Sequence, residues 1–143
     1  MEKIAVISLG SVLRCDDNIA NLVLDELKAE NILLIKGGTN PENFIGPLEK
    51  FKPDIIFFID AIYFNGKAGD VKVFQINDIL NLNISTHNLP VTLFKDFFPK
   101  TIIEIIGIQP KKIDLKSKIS KGLEERFEEI VETVRKIVFD KLK

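Results

Sequence analysis

The chain has 143 residues, 45% of them hydrophobic, with 20 basic against 21 acidic side chains and a formal net charge of -1. This length suits one domain with a full core, expected to span residues 1–143, and the balanced charge excludes a basic field that would draw nucleic acid or anionic lipid. The lone cysteine, Cys15, excludes an internal disulfide framework and any cysteine-cluster metal site, and it suits a reducing, cytoplasmic setting.

Ile4 to Leu9 is an almost continuous apolar run, the pattern of a strand buried on both faces, and Gly10 with Ser11 ends it. The run resembles a signal peptide only loosely, being short and followed at once by Gly10 and then charges. No other apolar stretch approaches the roughly 20 residues of a membrane span, so a soluble, unprocessed protein is expected. From Asn18 to Glu30, Ile19, Leu22, Val23 and Leu27 recur at helical spacing, with Asp17 in front as a candidate N-cap. Ile32 to Ile35 forms a second short strand, which the turn cluster Gly37-Gly38-Thr39-Asn40-Pro41 stops, and a weak helix follows through Phe44, Ile45 and Leu48.

Ile55 to Ile59 is the most strongly apolar strand, and Asp60 abuts it where the chain is expected to emerge from the sheet. After a loop over residues 65–69, Val71, Val73 and Gln75-Ile76 suggest a shorter strand at an edge, followed by a helical turn from Asn77 to Leu80. His87, the only histidine, falls before a helix from Pro90 to Phe98 that carries proline at its start. Ile102 to Ile106 is another buried strand, closed by Gly107. From Ser120 to Leu142, Leu123, Phe127, Ile130, Val131, Val134, Ile137 and Val138 form one apolar stripe and predict the clearest helix. Strands alternating with helices imply a three-layer α/β/α domain with a mostly parallel central sheet of about five strands.

In such a fold ligands bind at the carboxyl ends of the strands. Asp16-Asp17 follows the first strand and Asp60 the third, and two carboxylates with the His87 imidazole would make a small site for a hard-to-borderline metal ion. Each residue has a structural alternative: Asp17 as a helix cap, Asp60 as a turn or cap residue, His87 as a solvated or capping side chain. Asp16 reads as a loop residue or a support for its neighbours, and Cys15 as a small packing residue, since no third group orients a Cys-His pair. Gly37-Gly38 lacks the spacing of a phosphate loop and reads as a tight turn. The site side chains are expected at the sheet edge, outside the core.

The ordered set Leu9-Gly10-Ser11-x-x-x-x-Asp16-Asp17, Gly37-Gly38-Thr39, Ile59-Asp60-Ala61, Ser85-Thr86-His87-Asn88-Leu89-Pro90 and Ile106-Gly107-Ile108-Gln109-Pro110 resembles the maturation endopeptidases of nickel-iron hydrogenases. The last two motifs look most like the branch that matures hydrogenase 3-type enzymes. The resemblance implies an aspartic-type endopeptidase that removes the C-terminal extension of the hydrogenase large-subunit precursor once nickel is in place. Asp17, Asp60 and His87 match the family's nickel-contacting positions, with Asp17 and Asp60 also expected to be catalytic. The nickel is expected to come with the substrate, or another divalent cation to take its place, and the protein is expected to be a cytoplasmic monomer. The chain departs from the family pattern with Ser8-Leu9-Gly10-Ser11 for Gly-x-Gly-Asn, Asn18-Ile19-Ala20 for Gly-x-Gly, and Lys36 for an acid before the glycine pair. Those departures motivate a second reading, a non-proteolytic metal-sensing or chaperone module that binds the precursor without cutting it.

Overall fold

The structure is a computed structural model that describes residues 2–81, 90–111 and 118–142. Its strands are β1 (Ile4–Leu9), β2 (Ile32–Gly38), β3 (Ile55–Ala61), β4 (Val71–Gln75) and β5 (Ile102–Ile108). They form one sheet in the order β2-β1-β3-β5-β4, parallel except for β4, which runs antiparallel to β5 at the edge. The helices are α1 (Ile19–Leu27), α2 (Ile45–Phe51), α3 (Ile76–Asn81), α4 (Val91–Phe97), α5 (Lys121–Glu125) and α6 (Phe127–Phe139). The expected mostly parallel α/β architecture is present.

Alternation along the strands sends side chains to two apolar layers. Ile4, Val6, Phe57 and Ile59 pack on one face with Val23 and Leu27 of α1 and Ile130, Val134 and Val138 of α6. Ala5, Ile7, Ile56 and Phe58 pack on the other with Leu48 of α2, Ile79 of α3 and Phe94 of α4. With helices on both faces, β1 and β3 are buried throughout, which is why their sequences read as unbroken apolar runs rather than alternating ones.

Three strands run further than the sequence suggested. β2 continues through Gly37 and Gly38, with Gly38 paired to Leu9 after a register shift, so the turn begins at Thr39. Gly37 permits this because a Cβ there would stand 2.8 Å from both the Ile7 side chain and the Ser8 carbonyl oxygen. β5 likewise passes through Gly107. β3 takes in Asp60 and Ala61, which pair with Gly107 and Ile108, so Asp60 is a strand residue inside the core and not a turn residue outside it.

The helices differ in detail too. α1 stops at Leu27, where Lys28 turns left-handed (φ 40°, ψ 67°). The expected C-terminal helix is divided at Arg126, whose guanidinium reaches the Ala68 carbonyl at 2.9 Å and the Asp70 carboxylate at 2.7 Å. These contacts pin the loop before β4 to the α5–α6 junction. Among the described residues no helix is long and apolar enough to cross a membrane.

Candidate active site

The chain leaves β1 toward β2 on one side and returns to β3 on the other, so the carboxyl ends of β1 and β3 flank the switch point where open α/β sheets form crevices. The loop after β1 is built around Gly10, whose φ of +122° is open to glycine and strained for other residues. A Cβ at Gly10 would fall 1.9 Å from the Asp17 carbonyl oxygen, so the loop folds back on itself only because that atom is missing. Gly10 N–H donates to the Gly38 carbonyl at 2.9 Å, joining the ends of β1 and β2.

Residues Cys15–Asn18 form a 3-10 turn that presents Asp17. Asp17 does not cap α1. Its Oδ2 instead accepts the Ser11 N–H at 2.9 Å, closing the loop, and α1 begins without a side-chain cap. Asn21, which no sequence motif singled out, ties the loop down from α1. Its Nδ2 donates to the Gly10 carbonyl at 3.1 Å and to Asn18 Oδ1 at 2.9 Å, while its Oδ1 accepts the Ser8 hydroxyl at 2.7 Å. The available signal was a polar residue inside each of two apolar patterns, Ser8 in β1 and Asn21 in α1.

Asp60 faces this turn from β3. Its residue is 1% exposed, and among the described residues neither carboxyl oxygen has a hydrogen-bond partner. Burial, and after it the neighbouring negative charge of Asp17, push the Asp60 carboxyl up to about 8 from its ordinary 3.8. The Ala61 N–H pulls the other way without reaching hydrogen-bond geometry to either oxygen. A carboxyl so placed holds its proton at neutral pH beside a second carboxylate, an arrangement that pairs a proton donor with a proton acceptor.

Asp16 binds different partners from Asp17. Its carboxylate accepts the main-chain N–H of Lys111 at 2.8 Å and that of Ser120, and its residue is 0% exposed. Gln109, part of a sequence motif but without a role assigned from sequence, performs a similar function for the loop after β3. Its Oε1 accepts the N–H groups of Phe64 at 2.8 Å and Gly66 at 3.2 Å. Val12 and Leu13 on the first loop and Tyr63 on the second are exposed apolar side chains on the chain segments that carry the two acids.

Of the predicted site residues, Asp17 lies in the turn after β1 and Asp60 near the end of the adjacent β3, close enough for the charge of Asp17 to act on Asp60, and His87 lies outside the described residues. Among the described residues no group of three metal-capable side chains forms. Cys15 is buried, as expected of a packing residue. Lys36 is an exposed partner of Asp25 on α1, with Nζ 2.8 Å from Oδ1.

Comparison with known proteins adds independent observations. A family model for the HycI hydrogenase maturation protease matches residues 19–140, beginning just past the turn that carries Asp17. The hydrogenase 3 maturation protease of Escherichia coli K12 is 28% identical over 111 residues, 73% of this chain and 71% of that one. The crystal structure of the NiFe hydrogenase maturation protease HycI from Thermococcus kodakarensis superposes with a TM-score of 0.81 at 30% identity, covering 96% of this chain and 92% of the other. The E. coli maturating endopeptidase HybD shares the fold at 19% identity, with a TM-score of 0.75 over 92% of this chain and 89% of its own.

Proposed function

The chain belongs to the hydrogenase maturation protease family, and from that premise we propose that it is an endopeptidase that trims the C-terminal extension of a nickel-loaded hydrogenase large-subunit precursor. The observation that carries the reading is Asp60: a buried carboxyl, both oxygens unpartnered among the described residues, beside Asp17 at the sheet's switch point. Leaving a buried polar group unpaired costs about 1–3 kcal/mol. A fold that keeps such a group has a use for it.

The substrate's nickel supplies what Asp60 lacks. A divalent cation brought between Asp17 and Asp60 offsets the repulsion of the two carboxylates, favours loss of the Asp60 proton and satisfies the orphaned oxygens. His87 is the third ligand in this reading, and oxygen and imidazole donors suit Ni²⁺, with other divalent cations able to stand in. Docking through the metal holds the adjacent peptide bond against the pair, so one contact provides both recognition and orientation. Hydrolysis follows by an aspartic-type route, in which one carboxylate of the pair takes a proton from the attacking water and passes that same proton to the leaving amine. The exposed Val12, Leu13 and Tyr63 offer apolar contacts to the precursor chain running over the site. The protein acts in this reading as a cytoplasmic monomer.

The test is to incubate nickel-loaded and nickel-free precursor with the protein and follow the released tail by mass spectrometry. Release from the loaded form alone is expected. Equal cleavage of both forms rejects metal gating, and a stable complex without product rejects proteolysis in favour of a chaperone role.

A further inference from the structure

We propose that Asp16 is a positioning residue of this site: by binding the main-chain N–H groups of Lys111 and Ser120, its carboxylate fixes the turn that presents Asp17 to Asp60. The inference rests on reading Asp17 and Asp60 as the reacting pair. Its own support is geometric. Asp16 is fully buried, and a buried carboxylate is retained only where charge-assisted hydrogen bonds compensate its lost hydration. These two donors are backbone groups, on segments 95 and 104 positions further along the chain.

The turn needs such an anchor. Cys15 enters it at φ +48°, a left-handed conformation that a non-glycine residue keeps only where surrounding contacts impose it. Adjacent carboxylates then divide the work. Asp17 closes the loop internally on Ser11, and Asp16 ties the same turn to the segment leading into α5. Internal closure sets the shape of the loop, Asn21 and Gly10 hold its base to α1 and β2, and the outward tie of Asp16 holds the turn itself against the far end of the chain. Placement of a reacting group matters steeply, since an error of about 1 Å costs on the order of 100-fold in rate.

Two substitutions attack the tie from opposite ends. Asp16→Asn keeps the shape but turns an amide N–H group toward one of the two donors. Ser120→Pro leaves Asp16 intact and deletes one donor, at a residue whose φ of -64° already suits proline. Val134→Ala, in the core of α6, serves as a control that lowers stability away from the site. Processing of nickel-loaded precursor is measured at a temperature where circular dichroism shows every variant folded. For Asp16→Asn, kcat should fall by about tenfold or more, and for Ser120→Pro by less. KM should stay within about threefold of wild type, and Val134→Ala should keep wild-type kcat. Wild-type kcat in both tie variants, or a loss matched by Val134→Ala, overturns the proposal. Should Asp16→Asn fail to fold, Ser120→Pro decides alone. Asp60→Asn runs in the same assay: wild-type turnover by that variant refutes the reacting pair itself, independently of Asp16.

Discussion

Replacing Asp60 by asparagine should abolish processing and, at alkaline pH, make the protein more stable. The carboxyl is pushed from 3.8 to about 8 in the folded state by burial and then by the charge of Asp17. Between those values the folded protein holds a proton that the unfolded chain has released. Stability from this group is therefore fully present below pH 3.8, falls as pH rises, and is lost above about 8. At 1.36 kcal/mol per unit the ceiling on that loss is about 6 kcal/mol, comparable to the whole stability of many domains. Asparagine has nearly the same shape and no proton to lose, so the variant lacks this slope. Its unpaired amide adds a pH-independent cost of about 1–3 kcal/mol. Urea unfolding of both proteins at pH 5, 7 and 9 measures the effect. The difference, variant minus wild type, should grow by several kcal/mol in favour of the variant from pH 5 to pH 9. Parallel pH profiles would show that Asp60 is solvated or partnered in solution, and the argument from its burial would fall.

Gly10→Ala should lower stability by about 2 kcal/mol or more and stop processing, because it adds backbone strain at φ +122° to a 1.9 Å clash with the Asp17 carbonyl; an unchanged urea midpoint contradicts the loop geometry. Phe58→Ala, at a fully buried ring stacked edge-on against Phe94, should cost about 3–5 kcal/mol. Phe127 lies on the predicted stripe but is only partly buried at the start of α6, so Phe127→Ala should cost clearly less. Thermal melts of the two variants, ranked in the opposite order, would refute the packing assignment.

The layered fold was legible because its helices cover both sheet faces, which leaves Ile4–Leu9 and Ile55–Ile59 as apolar runs that local pattern can detect. The limits of the strands were not. Asp60 and Gly37 look like breakers in isolation, yet the ladder to Gly107 and the close approach of Ile7 hold them in the sheet. Asp17 reads as an N-cap if the helix begins at Asn18, but a 3-10 turn over Cys15–Asn18 moves the cap position to Asn18, and the Asp17 oxygen accepts the Ser11 N–H instead. That the two acids lie at the same edge of the sheet follows from strand order, and sequence alone constrained this through the alternation of elements. The roles of Asp16 and Gln109 left no local trace, since both bind main-chain N–H groups, which carry no residue identity.

The Asp16 tie also orders events in time. Its N–H partners lie 95 and 104 positions downstream, so a growing polypeptide makes the Asp17 turn long before it makes the groups that hold it. At the usual 5–20 residues per second of synthesis, that interval is roughly 5 to 20 seconds. During it β1 and its loop emerge without their latch, and a prematurely terminated polypeptide ending between Lys111 and Ser120 would carry only one of its two donors. The turn that carries Asp17 is therefore held in its final place only once the residues leading into α5 have been made.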